Sequence, residues 1–431
     1  MRRFPSQLIQ SLLIFTFIIL TNSHWQNFDL PGYWQGPFNA LSFTYLAFVV
    51  FLPYLNKPYT YRKTNKLKTC VVITVYNEDP ETFKQALVSL DKQTLKPGIV
   101  HIVDDHSSNK DCYKIYKEWK KNTSIKAIYS YQDENAGKRE AQVVAFRANT
   151  DAEIFITIDS DTVLDKNAIK SGLRPFGDEK VMSVAGMLIG LNNRHNFLTR
   201  LVDLGFVTSF INGRAAWSAV KSVAVNCGGL AFYRSSVIHK NIDAYLNMKV
   251  MGKVVRSGDD RVLTNYALLD GYTVFQETSI GYTLLPTNIN HLTRQRIRWW
   301  RSFFWGGIWL IRRFPTDRLV WWLVVWQFYS FIFYTAIFIS VITSSVSRGQ
   351  LPIGFILYLA CVLSYVRAAR YLSVKDPRLS MKQRLVTFAL APISTLLHVY
   401  LCSILQYVGL ATVSKTGWST RNTVEVGLSS A

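Results

Sequence analysis

Apolar and polar positions divide the chain into stretches of different texture. Long apolar runs occupy residues 8–22 and about 39–55, and they return at 319–344, 351–366 and 385–412, the last broken by Pro392. Between them the runs shorten. Apolar, β-branched segments at 71–75, 100–103, 127–129 and 153–158 predict strands. A helix is predicted to begin near Pro80, with others near 110–121 and 138–148. Short apolar strands alternating with helices predict an α/β fold, a mostly parallel sheet with helices on both faces.

The long runs have the pattern of membrane crossings, which need about 20 residues each. Arg2 and Arg3 precede the first, and no small-x-small cleavage site follows it, so an anchor is expected rather than a removed leader. The loop 24–39 has no Lys or Arg and holds Trp25, Tyr33 and Trp34, as expected of an outside loop with interfacial aromatics. Residues 345–350 carry only Arg348, whereas 367–384 are rich in Lys and Arg, which predicts out and then in. The amino terminus and the middle domain are then cytosolic. Residues 295–316 mix arginines with Trp and Phe and predict an amphipathic helix lying in the membrane interface.

Composition agrees with this frame. Hydrophobic residues make up 49% and charged residues 18%, an unusual balance for a purely soluble chain of this length. The net charge of +21 falls largely beside apolar runs, at Lys57, Arg62, Lys63, Lys66, Arg312, Arg313, Arg367 and Arg370. Basic groups near an anionic leaflet are stabilised by about 1 kcal/mol each, so the excess is read as membrane topology and contact with membrane lipids. No nucleic-acid-binding module accompanies it, and no nucleic-acid partner is expected. The five cysteines show neither CxxC pairs nor metal spacing, which fits a reducing compartment for the middle domain.

The chemistry gathers at predicted strand ends, where open α/β sheets bind ligands. Tyr76-Asn77-Glu78, Asp104-Asp105 and Asp159-Ser160-Asp161 each follow a strand. One acid there is an ordinary turn or cap residue; three such ends form a pattern that capping rarely produces. Alternate residues aim Asp159 and Asp161 toward one point, and hard oxygen ligands of that kind suit Mg2+ or Mn2+ bridging a diphosphate.

These motifs are followed, in order, by Gly137-Lys138-Arg139, Gly258-Asp259-Asp260-Arg261 and Gln295-x-x-Arg298-Trp299. The ordered set resembles the inverting processive family 2 glycosyltransferases that include hyaluronan, chitin and cellulose synthases. Segments 192–201, 257–267 and 418–421 are most similar to the single-chain hyaluronan synthases of the streptococcal and viral type. The resemblance implies a GT-A-like catalytic domain at 57–294, set between two amino-terminal transmembrane helices (1–56) and an interfacial helix (295–316). Carboxy-terminal transmembrane and re-entrant helices (317–412) and a cytosolic tail (413–431) would follow. It implies Asp260 as general base with Asp259 beside it. Tyr76, Asn77, Glu78, Asp104, Asp105, Lys138, Asp159, Arg298, Trp418 and Arg421 would hold the donor. Cys227, Gly228, Gln295 and Trp299 would hold the acceptor, and Asp161 with Asp159 the Mg2+ or Mn2+. A tail loop over the donor must be cytosolic, so 385–412 is expected to lie in the interface or to re-enter as a hairpin.

The implied partners are UDP-sugar donors and a growing polysaccharide, handled by a multi-pass plasma-membrane protein. A hyaluronan-like product from UDP-GlcNAc and UDP-glucuronate leads, favoured by the basic set Lys138, Arg139, Arg294, Arg296 and Arg298. A chitin oligosaccharide from UDP-GlcNAc alone, or a glucuronate-containing capsular glucan, are the alternatives. A transporter or scaffold with a dead transferase domain is opposed by the intact Asp159, Asp161 and Asp260. The chain departs from the pattern at Gly229, where proline is common, at Thr74-Val75, and at Ser419, where glycine is usual. These departures bear on the polymer more than on the reaction.

Overall fold

The computed structural model describes residues 44, 47–61, 63–348, 353–374 and 376–415. The predicted crossing at 8–22, part of 39–55, and Trp418 and Arg421 lie outside them.

The four predicted strands form side by side. β1 (Thr69–Val75) is buried at every position, as a β-branched strand covered on both faces should be. It pairs in parallel with β2 (Ile99–Asp104) and β4 (Ile154–Asp159), and β3 (Lys126–Tyr131) extends the sheet beyond β2. Helices α1 (Pro80–Asp91), α2 (Asp111–Asn122) and α3 (Lys138–Ala148) make the crossovers. Asp79 caps α1, its Oδ2 accepting from the Thr82 N–H at 2.9 Å. The register pairs Val75 with Asp104 and Thr74 with Asp159, so the three acid-bearing strand ends finish level.

The sheet continues where the sequence pattern gave no strand. β5 (Val163–Leu164), β6 (Val181–Gly190), β7 (Ala231–Arg234) and β10 (Tyr272–Thr283) complete the order β3-β2-β1-β4-β7-β6-β10-β5, and β8 (Lys249–Val250) and β9 (Lys253–Val254) form a separate hairpin. β7 runs antiparallel to both β4 and β6 and inserts a reversed strand into the otherwise parallel centre. Phe83, Leu87 and Phe176 pack one face; Phe146, Phe155, Tyr233 and Tyr245 pack the other.

Helix α4 (Phe197–Thr208) follows β6 and widens into a π turn at Ser209–Arg214. Helix α5 (Asp259–Asp270) precedes β10, and α6 (Ile289–Arg313) follows it. The expected interfacial helix thus starts earlier than 295. Ser302 and residues 303–307 are buried, Gly306 against Arg261 of the sheet domain and Phe303, Phe304 and Gly307 against Phe328 of the helix that follows. Two glycines allow this: a Cβ on Gly306 would lie 2.3 Å from Arg261 Cδ, and one on Gly258 2.9 Å from Trp305 Cζ2.

Beyond α6, the run 319–344 lies in α7 (Leu319–Arg348), whose 30 residues extend roughly 45 Å, and 351–366 overlaps α8 (Ile353–Ala368). Among the described residues no helix is long and apolar enough to cross a membrane. The run 385–412 is split into α9 (Met381–Ala389), α10 (Ala391–Val399) and α11 (Leu405–Ala411). Pro392 sits in the first turn of α10, where its missing N–H costs nothing. These pieces rest on the sheet domain's helices. Ser394 Oγ on α10 donates to the Leu201 carbonyl of α4 at 2.9 Å, and Trp300 Nε1 on α6 donates to the Leu401 carbonyl at 2.8 Å.

Candidate active site

A cavity of about 290 Å³ opens where the carboxyl ends of β1 and β4 face α5 and α6. Tyr76, Asn77, Glu78, Asp159 and Asp161 line its sheet side, Asp259 and Asp260 its centre, and Gln295, Arg298 and Trp299 the α6 side. Cys227 and Gly228 border it from the loop before β7.

Its charges are tied through one lysine. Lys138, the first residue of α3, is buried, and its Nζ lies 2.6 Å from Asp159 Oδ1 and 3.2 Å from Asp259 Oδ2. Gln142 Nε2, one turn along α3, donates to the same Asp259 oxygen at 3.1 Å, and Tyr245 OH donates to Gln142 Oε1 at 2.6 Å. Burial opposes charge on Asp259, but Lys138 and Arg139 outweigh it and hold the carboxyl below the usual range. Asp260 goes the other way. Burial and then the neighbouring Asp259 push its carboxyl up to about 6, a value suited to accepting a proton near neutral pH.

Both acids sit at the first turn of α5, reached through Gly258 at φ +68°, the left-handed region that glycine tolerates. Gly228 serves close approach in a different way: a Cβ there would lie 3.3 Å from Lys138 Nζ and 3.5 Å from Asp159 Oδ2. Trp299 is 36% exposed and stacks on Phe206 with centroids 6.2 Å apart and planes 24° from parallel. Arg296 lies over the same ring at 4.4 Å. A flat ring held this way suits the apolar face of a sugar.

The arrangement has known counterparts. Residues 70–242 match the family description "Glycosyl transferase family 2". The chain is 31% identical to the hyaluronan synthase of Streptococcus pyogenes over 395 residues, covering 91% of this chain and 92% of that one. This chain is a family 2 glycosyltransferase. An N-acetylglucosaminyltransferase of Rhizobium sp. (strain N33) is 29% identical over 363 residues, 82% of this transferase and 77% of that protein. Among solved structures, a mannosyltransferase from Pyrobaculum calidifontis, in complex with GDP-Man and Mn2+, superposes with a TM-score of 0.56 at 16% identity. It covers 82% of the transferase and 97% of that chain, a likeness of the GT-A-type fold.

Several predicted residues lie elsewhere in the transferase. Asp104 and Asp105 are buried behind the cavity wall. Asp104 accepts from Ser107 N–H at 2.8 Å and Tyr129 OH at 2.6 Å. Asp105 accepts from the Ala136 and Gly137 N–H groups at 3.0 and 3.1 Å and so pins the turn that starts α3. Asn77 lines the cavity and also braces the neighbouring loop, its Oδ1 accepting from Ser108 N–H at 2.8 Å. Arg139 also leaves the proposed basic set: its guanidinium is buried and donates to the Tyr245 and Ser257 carbonyls at 3.2 and 2.7 Å. Arg294 does not line the cavity, while Arg296 and Arg298 do.

Arg214 and Arg261 replace them on the cavity wall, and the sequence pattern named neither as a site residue. Arg214 ends the π turn, stacks over Phe210 at 3.8 Å and donates from Nε to the Val225 carbonyl at 3.3 Å. Its signal is the wide helical turn, which exists only in three dimensions.

The acids also bear on the divalent cation. Among the described residues, no three His, Cys, Asp or Glu side chains converge to hold a metal by themselves. Asp161 receives long bonds from Thr283 Oγ1, at 3.3 and 3.4 Å, and from Thr162 Oγ1 at 3.4 Å, and Asp159 is 37% exposed. Two carboxylates lining one cavity fit an ion completed by substrate oxygens and water, the usual habit of Mg2+.

Proposed function

We propose that this glycosyltransferase builds a hyaluronan-like polysaccharide from UDP-GlcNAc and UDP-glucuronate, as a multi-pass membrane protein whose sheet domain faces the cytosol. The observation that carries the reading is the reach of the likeness to the streptococcal hyaluronan synthase. It spans 91% of the chain, well past the sheet domain into the carboxy-terminal helices. A likeness confined to the sheet domain would support transfer of a sugar and nothing about a polymer.

In this reading Trp299 stacks against the terminal sugar and presents its hydroxyl to Asp260. The hydroxyl oxygen attacks the anomeric carbon as the bond to the diphosphate breaks, and Asp260 takes the proton. Lys138 and Arg298 offset the charge of the departing diphosphate. Asp161 and Asp159 would hold Mg2+ or Mn2+, which supplies further charge stabilisation to that leaving group. The tail carrying Trp418 and Arg421 is assigned to closing the donor site.

The rhizobial N-acetylglucosaminyltransferase, 29% identical over 82% of this chain, favours a second reading as a chitin-oligosaccharide synthase. Purified protein separates the two. With UDP-GlcNAc alone it should release little UDP and make no long chain. With UDP-glucuronate added it should make a high-mass polymer that hyaluronidase degrades. Long, chitinase-sensitive product from UDP-GlcNAc alone would overturn the hyaluronan reading, and polymer from UDP-glucose with UDP-glucuronate would point to a capsular glucan.

A further inference from the structure

A second cavity, of about 160 Å³, lies where the loop after β6 and the start of α4 meet α9. Arg194 and Arg200 reach it from the sheet domain and Lys382 from the first turn of α9. Among the described residues none of the three side chains makes a hydrogen bond or ion pair. Three cations around one cavity repel one another, and the positive end of α9 adds to them. The carboxylate in the lining does not answer this charge. Asp203 already accepts from Gly190 N–H at 2.7 Å and Asn193 Nδ2 at 3.2 Å. Burial pushes its carboxyl up to about 7, so near neutral pH it opposes an anion less than an ordinary aspartate would.

The neighbouring side chains indicate where the anion comes from. Phe197 stands three residues before Arg200, and Leu385 and Val386 stand three and four residues after Lys382. They are 56%, 44% and 47% exposed. Residues at that spacing share a helix face. Cations beside outward-facing apolar side chains have the chemistry of a headgroup boundary, with phosphate on one side and acyl chain on the other.

The geometry points to a binding site for the phosphate group of an anionic membrane lipid, clamped between Arg194, Arg200 and Lys382. It rests on the membrane-bound reading and is independent of which polymer is made. A lipid seated there ties α9 to α4, and so joins the carboxy-terminal helices to the catalytic domain.

The full chain, reconstituted into phosphatidylcholine nanodiscs holding a minority of phosphatidylglycerol, should retain phosphatidylglycerol on gentle re-extraction, read by native mass spectrometry. The R194Q/R200Q/K382Q variant should retain it on the order of 10²-fold more weakly, about fivefold per cation. R194K/R200K/K382R should behave as the parent, and UDP release by each variant reports that the fold is intact. Equal retention by the parent and the glutamine variant overturns the proposal. So does equal retention of phosphatidylcholine, or capture of inorganic phosphate with no lipid retained. A chain that stays soluble without detergent would instead defeat the membrane reading itself.

Discussion

Asp259 and Asp260 are adjacent in sequence, yet their environments drive them apart. Lys138 holds one ionised, while burial and that same ionised neighbour raise the other. A base with its carboxyl near 6 works when deprotonated, so turnover should rise as pH climbs through about 6. Removing the like charge with Asp259→Asn should move that limb to lower pH in a steady-state pH profile. Asp260→Asn should leave donor affinity by calorimetry nearly intact and slow UDP release by roughly 10²-fold or more. Collapsed binding with normal turnover per bound donor would make Asp260 structural. At the other acidic pair, Asp161→Ala should lose donor turnover, as should chelation of the parent. Full activity of that variant in chelator would remove the metal assignment. These acids were legible because strand ends are where an α/β sheet must place ligand chemistry. Asp104 and Asp105 follow a strand by the same logic, but their hydrogen bonds turn them inward, and sequence position does not encode which way a carboxylate faces.

Among elements, the contact of α6 with α5 positions Trp299, the proposed acceptor platform, relative to Asp260, the proposed base. It depends on Gly306 sitting against the Arg261 side chain, where an added Cβ would approach to 2.3 Å. Gly306→Val should push the two helices apart and lower polymer synthesis while donor binding persists. Gly213→Ala, with nothing within 4 Å of its Cβ, should be neutral in both assays. Parental synthesis by Gly306→Val would show that the helix contact is not what positions Trp299. Legibility also varied by element. β1, β2 and β4 read clearly because each is a buried run rich in β-branched residues, and β3 by its short apolar segment between two helices. β7 has only four residues, and β10 breaks its register with β6 between Gln276 and Ile280, so neither carries a clean period. The 295–316 pattern read as amphipathic because of its arginines; in the fold Phe303 and Phe304 pack on Phe328, while Trp299 stays 36% exposed at the cavity.

At the scale of the molecule, the proposed topology places the carboxy terminus on the side of the sheet domain. The Pro392 break folds 391–411 back over α4 and α6 through the Ser394 and Trp300 hydrogen bonds, which suits a segment that turns rather than spans. A cysteine introduced at Ser429 should therefore resist a membrane-impermeant maleimide in intact cells and react after permeabilisation. Labelling from outside would overturn the arrangement. The expectation of a membrane protein was legible in the apolar runs and the lysine and arginine bias of the loops. The seating of the last helices was not, since it depends on contacts between segments about 100 to 190 residues apart.

The lysine that joins Asp159 to Asp259 has a consequence for how such sequences drift. Lys138 Nζ contacts both carboxylates, at 2.6 and 3.2 Å, from three segments of the chain. Loss of Lys138 leaves the buried Asp259 without its counterpart, and breaking such a buried pair costs about 3–5 kcal/mol. A lineage that abandons catalysis while keeping the fold therefore has no gradual route through single changes at these positions. Inactive descendants should have exchanged positions 138 and 259 together for uncharged residues. A chain that retains these charges has not by that alone retained the reaction, because the fold holds them as well.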